Sequence, residues 1–170
     1  MNQPRRVREL AMVLLYRIDA EGGAVPSLED AMDLADTLRE EGSTASDLTP
    51  LGEKEVARSI ALASAAHAAR ADCDAQADAL APDWPSHRRP AIDRAILRLA
   101  IHEMQRPDCE PKAIVNDAIE FAKHYSTEKS PGFVNALLDK VLKRTIGERA
   151  TSRADHTPAP NEAAPAAEGG

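Results

Sequence analysis

Apolar residues recur along the chain at spacings of three and four, in stretches too long for strands, so each periodic segment reads as an amphipathic helix. The first runs from about Arg5 to Ala20, with Val7, Leu10, Ala11, Leu14, Leu15 and Ile18 on one face, and Gly22-Gly23 ends it. A second opens at Ser27, where Asp30 completes a motif like a capping box, and continues through Leu28, Ala31, Ala35 and Leu38 to Gly42. After a polar loop, Thr49-Pro50 starts an alanine-rich segment reaching about Ala81. Its stripe of Leu62, Ala66, Ala69, Cys73, Ala77 and Leu80 favours close packing and is expected to bend or break internally. Prolines at 82, 85 and 90 then forbid a continuous helix, and Trp84 is expected to plug a core at this hinge.

Three further helices are predicted at about Ala91 to Gln105, Pro111 to Tyr125 and Pro131 to Ile146. In the last, Ser130 suits the N-cap and Pro131 the first helical position, where a missing N–H costs nothing. Val134, Leu137, Leu138, Val141 and Leu142 form its core face, and Phe133 sits at the stripe's edge, able to serve either the core or a ligand. Asn116 and Asn135 lie among apolar positions and are expected to be buried amides bridging helices. The predicted fold is all-α, with three helices in each half. Residues 149–170 are rich in Ala, Pro, Glu and Gly and lack large apolar side chains, so a disordered tail is expected after a helical domain spanning residues 1–148.

Composition supports this picture. With 170 residues, 43% of them hydrophobic and only 3% aromatic, the chain can build one core but has few β-branched or aromatic runs for a sheet. The N-terminal apolar run is interrupted by Glu9, Arg17 and Asp19, well short of a membrane span. Cys73 and Cys109 form no CxxC motif, and a reducing cytoplasm is the simplest setting. The net charge of -7 is unevenly spread: residues 21–83 carry four basic against fourteen acidic side chains, whereas residues 84–149 carry twelve against nine. The chain's start and its second half are the basic segments, which permits a cationic surface if the fold unites them.

Candidate catalytic chemistry is sparse. "HEMQR" at His102 begins like a zinc-protease motif, but Arg106 stands where the second ligand is required. No glycine loop for phosphate and no serine nucleophile elbow is present, so no enzyme and no cofactor are expected. Arg5, Arg6 and Arg8 are the best binding candidates, because guanidinium forks donate to phosphate in pairs and keep their charge.

The segments "RRVRELAMVLLYRID" (Arg5 to Asp19), "IDRAILRLAIHEM" (Ile92 to Met104) and "PKAIVNDAIEFAKHYSTEKSPGFVNALLDKV" (Pro111 to Val141) together resemble the bacterial NusB family of transcription antitermination factors. Residues 21–90 match it only in helical character. The resemblance implies two packed three-helix bundles and a non-enzymatic, cytoplasmic RNA-binding role. It implies as partners single-stranded boxA RNA, ribosomal protein NusE and the RNA polymerase antitermination complex, which suppresses termination during ribosomal RNA synthesis. Carried over by position, Arg5, Arg6 and Arg8 become phosphate contacts, Tyr16 a base or sugar contact, and Lys129 with Phe133 a second RNA region. His102 and Glu103 become partner contacts. Two departures stand out: Gly132 occupies a position where relatives often carry lysine, and His102 replaces a common tyrosine. The other reading is a helical protein-interaction adaptor that binds RNA weakly or not at all. Either a monomer or a homodimer is compatible with the resemblance.

Overall fold

A computed structural model describes residues 4–155, and among these there are seven α-helices, one short 3-10 turn and no strand. Helix α1 spans Arg5–Ala20, α2 Leu28–Glu41, α3 Glu53–Ala68 and α4 Arg70–Leu80. The 3-10 turn Ser86–Arg88 follows, then α5 at Ala91–Met104, α6 at Pro111–Tyr125 and α7 at Ser130–Asp155. Helices α1, α2 and α3 pack as one bundle and α5, α6 and α7 as a second, with α4 laid against α5 and α7. Helix α1 belongs to both, because it packs on α3 and α2 and also on α5 and α6. No described helix is long and apolar enough to cross a membrane.

The punctuation follows local chemistry. Helix α1 stops where Gly22 and Gly23 take φ of 70° and 96°, which lets the Gly23 N–H reach back to the Ile18 carbonyl at 2.8 Å. The Ser27 hydroxyl accepts from the Asp30 N–H at 3.1 Å and caps α2. The alanine-rich segment starts at Glu53 rather than Thr49-Pro50, because the Glu55 carboxylate folds back to accept the Gly52 N–H at 2.9 Å. The expected internal break falls at Ala69, giving α3 and α4.

The core runs through both bundles. Val7, Leu14, Leu15, Ile18, Ala63, Ala66, Ile101, Leu138 and Val134 are fully enclosed, and Phe121 of α6 is the largest buried side chain. Small residues on α3 let it approach α1 closely enough for the Ser59 hydroxyl to donate to the Val7 carbonyl at 2.9 Å.

Four sequence expectations are corrected. Trp84 does not plug the core: it is 46% exposed, because its proline-bound segment lies on the surface and turns Ser86 and Arg89 inward instead. Asn116 and Asn135 are exposed, since each lies one position, about 100° of helical rotation, away from the stripes that bury Asp117 and Val134. The Ser130 hydroxyl donates to Asp93 rather than capping α7. Residues 149–155, expected in the tail, continue α7, held by Arg149, whose guanidinium donates to the Arg106 carbonyl at 2.7 Å. The rest of the expected tail lies outside the described residues.

Phe121→Ala is expected to cost about 3–5 kcal/mol in urea denaturation, because it empties the centre of the second bundle. Asn135→Ala, on the exposed side of α7, is expected to stay within about 0.5 kcal/mol of the parent in the same assay.

Candidate functional site

The arginines at the start of α1 have three different fates. Arg8 is 3% exposed, because its position between Val7 and Leu15 faces the seam where α1 meets α5 and α6. There its Nε and Nη2 reach the Glu103 carboxylate at 2.8 to 3.0 Å, and Nη1 donates to Asp117 Oδ2 at 2.6 Å. Burial alone would lower the Arg8 pKa, but the hydrogen bonds and charges of Glu103 and Asp117 outweigh it and raise it. Arg8 therefore does not offer its fork to a phosphate, and Glu103, 4% exposed, does not face a partner. Both expected contacts are corrected for the same reason: each compensates the other's charge inside the protein.

Arg5 is intermediate. Its Nε shares Asp117 with Arg8, at 2.8 Å from Oδ1, and its Nη1 donates to the Thr44 carbonyl at 3.2 Å, yet its side chain keeps 30% exposure. Arg6 has no hydrogen-bond or ion-pair partner among the described residues and is partly exposed. Arg5 and Arg6 together line an open hollow of about 490 Å³, closed on the other side by Ala45, Asp47, Pro50 and Leu51. The loop that makes this wall is held by Glu9, whose carboxylate accepts the Thr44 N–H at 3.0 Å, the Ser43 hydroxyl at 3.1 Å and the Thr44 hydroxyl. The other Glu9 oxygen accepts the Tyr125 hydroxyl at 2.8 Å, and burial together with Glu9 raises the Tyr125 pKa. Tyr16 is 40% exposed further along α1 and does not line this hollow.

The second region forms where α5, α6 and α7 meet. Asp93, in the first turn of α5 and 3% exposed, accepts the Ser130 hydroxyl at 2.8 Å and also the Ser126 hydroxyl. Ser130 in turn lies 2.8 Å from the Thr127 hydroxyl, so the turn before α7 is fixed. Fixing it leaves Lys129 exposed and Phe133 partly buried, packed against the edge of the core. The Arg89 guanidinium, itself buried, sits 5.6 Å from the centre of the Phe133 ring. Arg89 is aimed by the Ser86 hydroxyl, 2.9 Å from its Nη1, and by Asp78 at 3.2 Å. Lys129 and Phe133 thus share one hollow, and Arg5 and Arg6 share another; no lining residue is common to the two.

His102 is partly exposed on α5. Burial, then neighbouring Arg106, lowers its pKa against a smaller upward pull from Glu103, so it is neutral at physiological pH. Among the described residues no group of three or more His, Cys, Asp or Glu side chains could hold a metal ion. Burial first, then Asp72 and Asp74, pushes the Cys73 thiol up to about 12, which keeps it protonated and unreactive. Sequence reasoning assigned no structural or binding role to Glu9, Asp93, Asp117 or Arg89. Their signal was position: Asp117 falls on the Ile114, Ala118, Phe121 stripe, where an unpaired charge would be too costly to bury.

Comparison with known proteins gives a consistent result. The NusB family model matches residues 5–143. A transcription antitermination protein NusB of Beutenbergia cavernae is 38% identical over 142 residues, covering 82% of this chain and 88% of that one. One of Chloroflexus aggregans is 30% identical over 151 residues, covering 87% and 92%. Among solved structures, T. maritima NusB superposes with a TM-score of 0.63 at 23% identity, over 89% of this chain and 99% of that one. The solution structure of Aquifex aeolicus NusB gives 0.59 at 21% identity, over 94% and 98%.

Arg8→Met leaves Glu103 and Asp117 buried with their main counter-charge gone, and is expected to cost about 3–5 kcal/mol in chemical denaturation. Adding Glu103→Met is expected to recover part of that loss, which a double-variant cycle measures. For His102, a folded-state pKa below the ordinary 6.5 means that its contribution to stability is complete above pH 6.5 and is lost as pH falls through the folded-state value. His102→Gln is expected to flatten the fall in melting temperature over that acid window.

Proposed function

Since the chain belongs to the NusB family, matched from residue 5 to residue 143, we propose that it is a transcription antitermination factor acting on boxA-containing nascent RNA. In this reading it binds RNA together with ribosomal protein NusE, joins the antitermination complex on RNA polymerase in the cytoplasm, and suppresses termination during ribosomal RNA synthesis. The carrying observation is the family match across both bundles, with relatives that are named transcription antitermination proteins.

The geometry supports a division of labour different from that suggested by residue order. Arg6 and the exposed part of Arg5 are the phosphate contacts on α1, while Arg8 positions them from within. Lys129 and Phe133 supply the second RNA region, a cation beside a ring, which suits a polynucleotide whose bases are unstacked. Tyr16 is a further contact along α1, and His102 remains the partner-facing residue on α5. The reading as an adaptor with weak RNA binding draws on one specific observation: burial of Arg8 thins the basic patch on a chain whose net charge is -7.

Gel-shift titration with a short boxA RNA, with and without NusE and at rising salt, separates the two. Arg6→Ala is expected to weaken binding across sequences and to reduce the salt slope by about 1. Gly132→Lys is expected to strengthen binding and steepen that slope, since an added Cβ there meets nothing within 4 Å. Absence of salt-dependent RNA binding even with NusE present would leave the adaptor reading.

A further inference from the structure

The chain has a single tryptophan and places it outside: Trp84 is 46% exposed on the segment between α4 and α5. An exposed apolar ring alone signifies little. Its neighbours give it meaning. Trp84, Pro90 and Phe133 line a mostly apolar hollow of about 450 Å³, and Lys129 lines it too. That size lies within the range of small-ligand sites.

Two features choose among possible occupants. The first is rigidity. Arg89, 3% exposed, lies against the Phe133 ring at 5.6 Å and is itself held by Ser86 and Asp78, so the ring is braced from the inner side. The second is charge. The Asp93 carboxylate that lines the hollow is buried and already accepts the Ser126 and Ser130 hydroxyls. Lys129, by contrast, is exposed with no ion-pair partner among the described residues, and Arg88 is exposed on the turn that follows Trp84. An apolar, ring-lined hollow with an unpaired cation suits a planar aromatic group attached to an anion. A nucleotide has that chemistry: the base stacks on the rings and the phosphate meets the cation. An apolar protein side chain would use the rings and leave the charge idle.

We propose that Trp84 and Phe133 form a slot for one unpaired base of single-stranded RNA, with Lys129 meeting the adjoining phosphate. The slot rests on the RNA-binding reading above and adds to it a base contact from the α4–α5 connection.

Because Trp84 is the only tryptophan, emission excited at the red edge, where the two tyrosines do not absorb, reports on it alone. Titrating the full chain with a short single-stranded boxA RNA is expected to quench that emission, while the same strand annealed to its complement leaves it unchanged. Trp84→Ala is expected to weaken single-strand binding about 10-fold, within the range for loss of one stacking partner. Trp84→Phe, which keeps a ring, is expected to retain most of the affinity, and both variants should melt near the parent temperature. Unchanged affinity in Trp84→Ala, with Arg6→Ala still weakened, would overturn the slot and leave RNA binding standing. No salt-dependent RNA binding by the parent protein would overturn both. Quenching by NusE alone, with NusE affinity lost in Trp84→Ala, would overturn the slot in favour of a protein side chain.

Discussion

The geometry of this protein depends on a cation that has been taken out of water. Arg8 sits at the junction of three helices, and its planar fork demands two carboxylates at fixed angles, which Glu103 of α5 and Asp117 of α6 supply. Such a cluster contributes little net stability, because each charge loses its hydration on burial. Its value is directional. An apolar seam tolerates sliding by a turn, whereas a guanidinium with five donors accepts one registry of its partners. With α1, α5 and α6 so aligned, Asp117 has a second oxygen left for Arg5, and Arg6, a helical step away, is turned to the surface.

Two other buried carboxylates extend the same logic toward the loops. Glu9 gathers the Ser43 hydroxyl, the Thr44 N–H and the Tyr125 hydroxyl, joining the loop after α2 to the end of α6. Asp93 gathers Ser126 and Ser130, joining the start of α5 to the turn before α7. Each acid is satisfied mainly by neutral donors, so the protein replaces its hydration shell without consuming surface cations. Exposed negative charge lies on α2 residues such as Glu29, Asp33 and Asp36, while the starts of α1 and α7 present Arg6 and Lys129.

Helix positions were legible from the sequence because periodicity and punctuation agreed: Gly22-Gly23, Ser27 and Pro111 each act through local backbone chemistry, whereas the place of the break at Ala69 carries no such signal. The side on which a polar residue lies was harder to read. Asn116 and Asp117 are adjacent, and the expectation of burial fell on the amide although the stripe of Ile114, Ala118 and Phe121 runs through the acid. Arg8 was misread for a related reason. A helix shared by two bundles is buried over most of its circumference, so the usual division into apolar face and solvated face does not apply to α1. Trp84 was placed inside on hydrophobicity alone, but three prolines decide where that segment runs. Family resemblance pointed to two regions, and burial then separated the exposed side chains in each from the enclosed ones.

Helix α1 contributes Val7, Leu14 and Ile18 to interior space on which both bundles draw, with α3 on one flank and α5 on another. Neither half therefore owns a complete core, and cutting the chain at the proline hinge would strip one fragment of the wall it needs. The two bundles are an architectural description, not two modules: they should melt as one cooperative unit, and their separate expression should yield insoluble pieces. Evolution of this fold by shuffling halves is closed off for the same reason, since any replacement second half would have to arrive already fitted to α1.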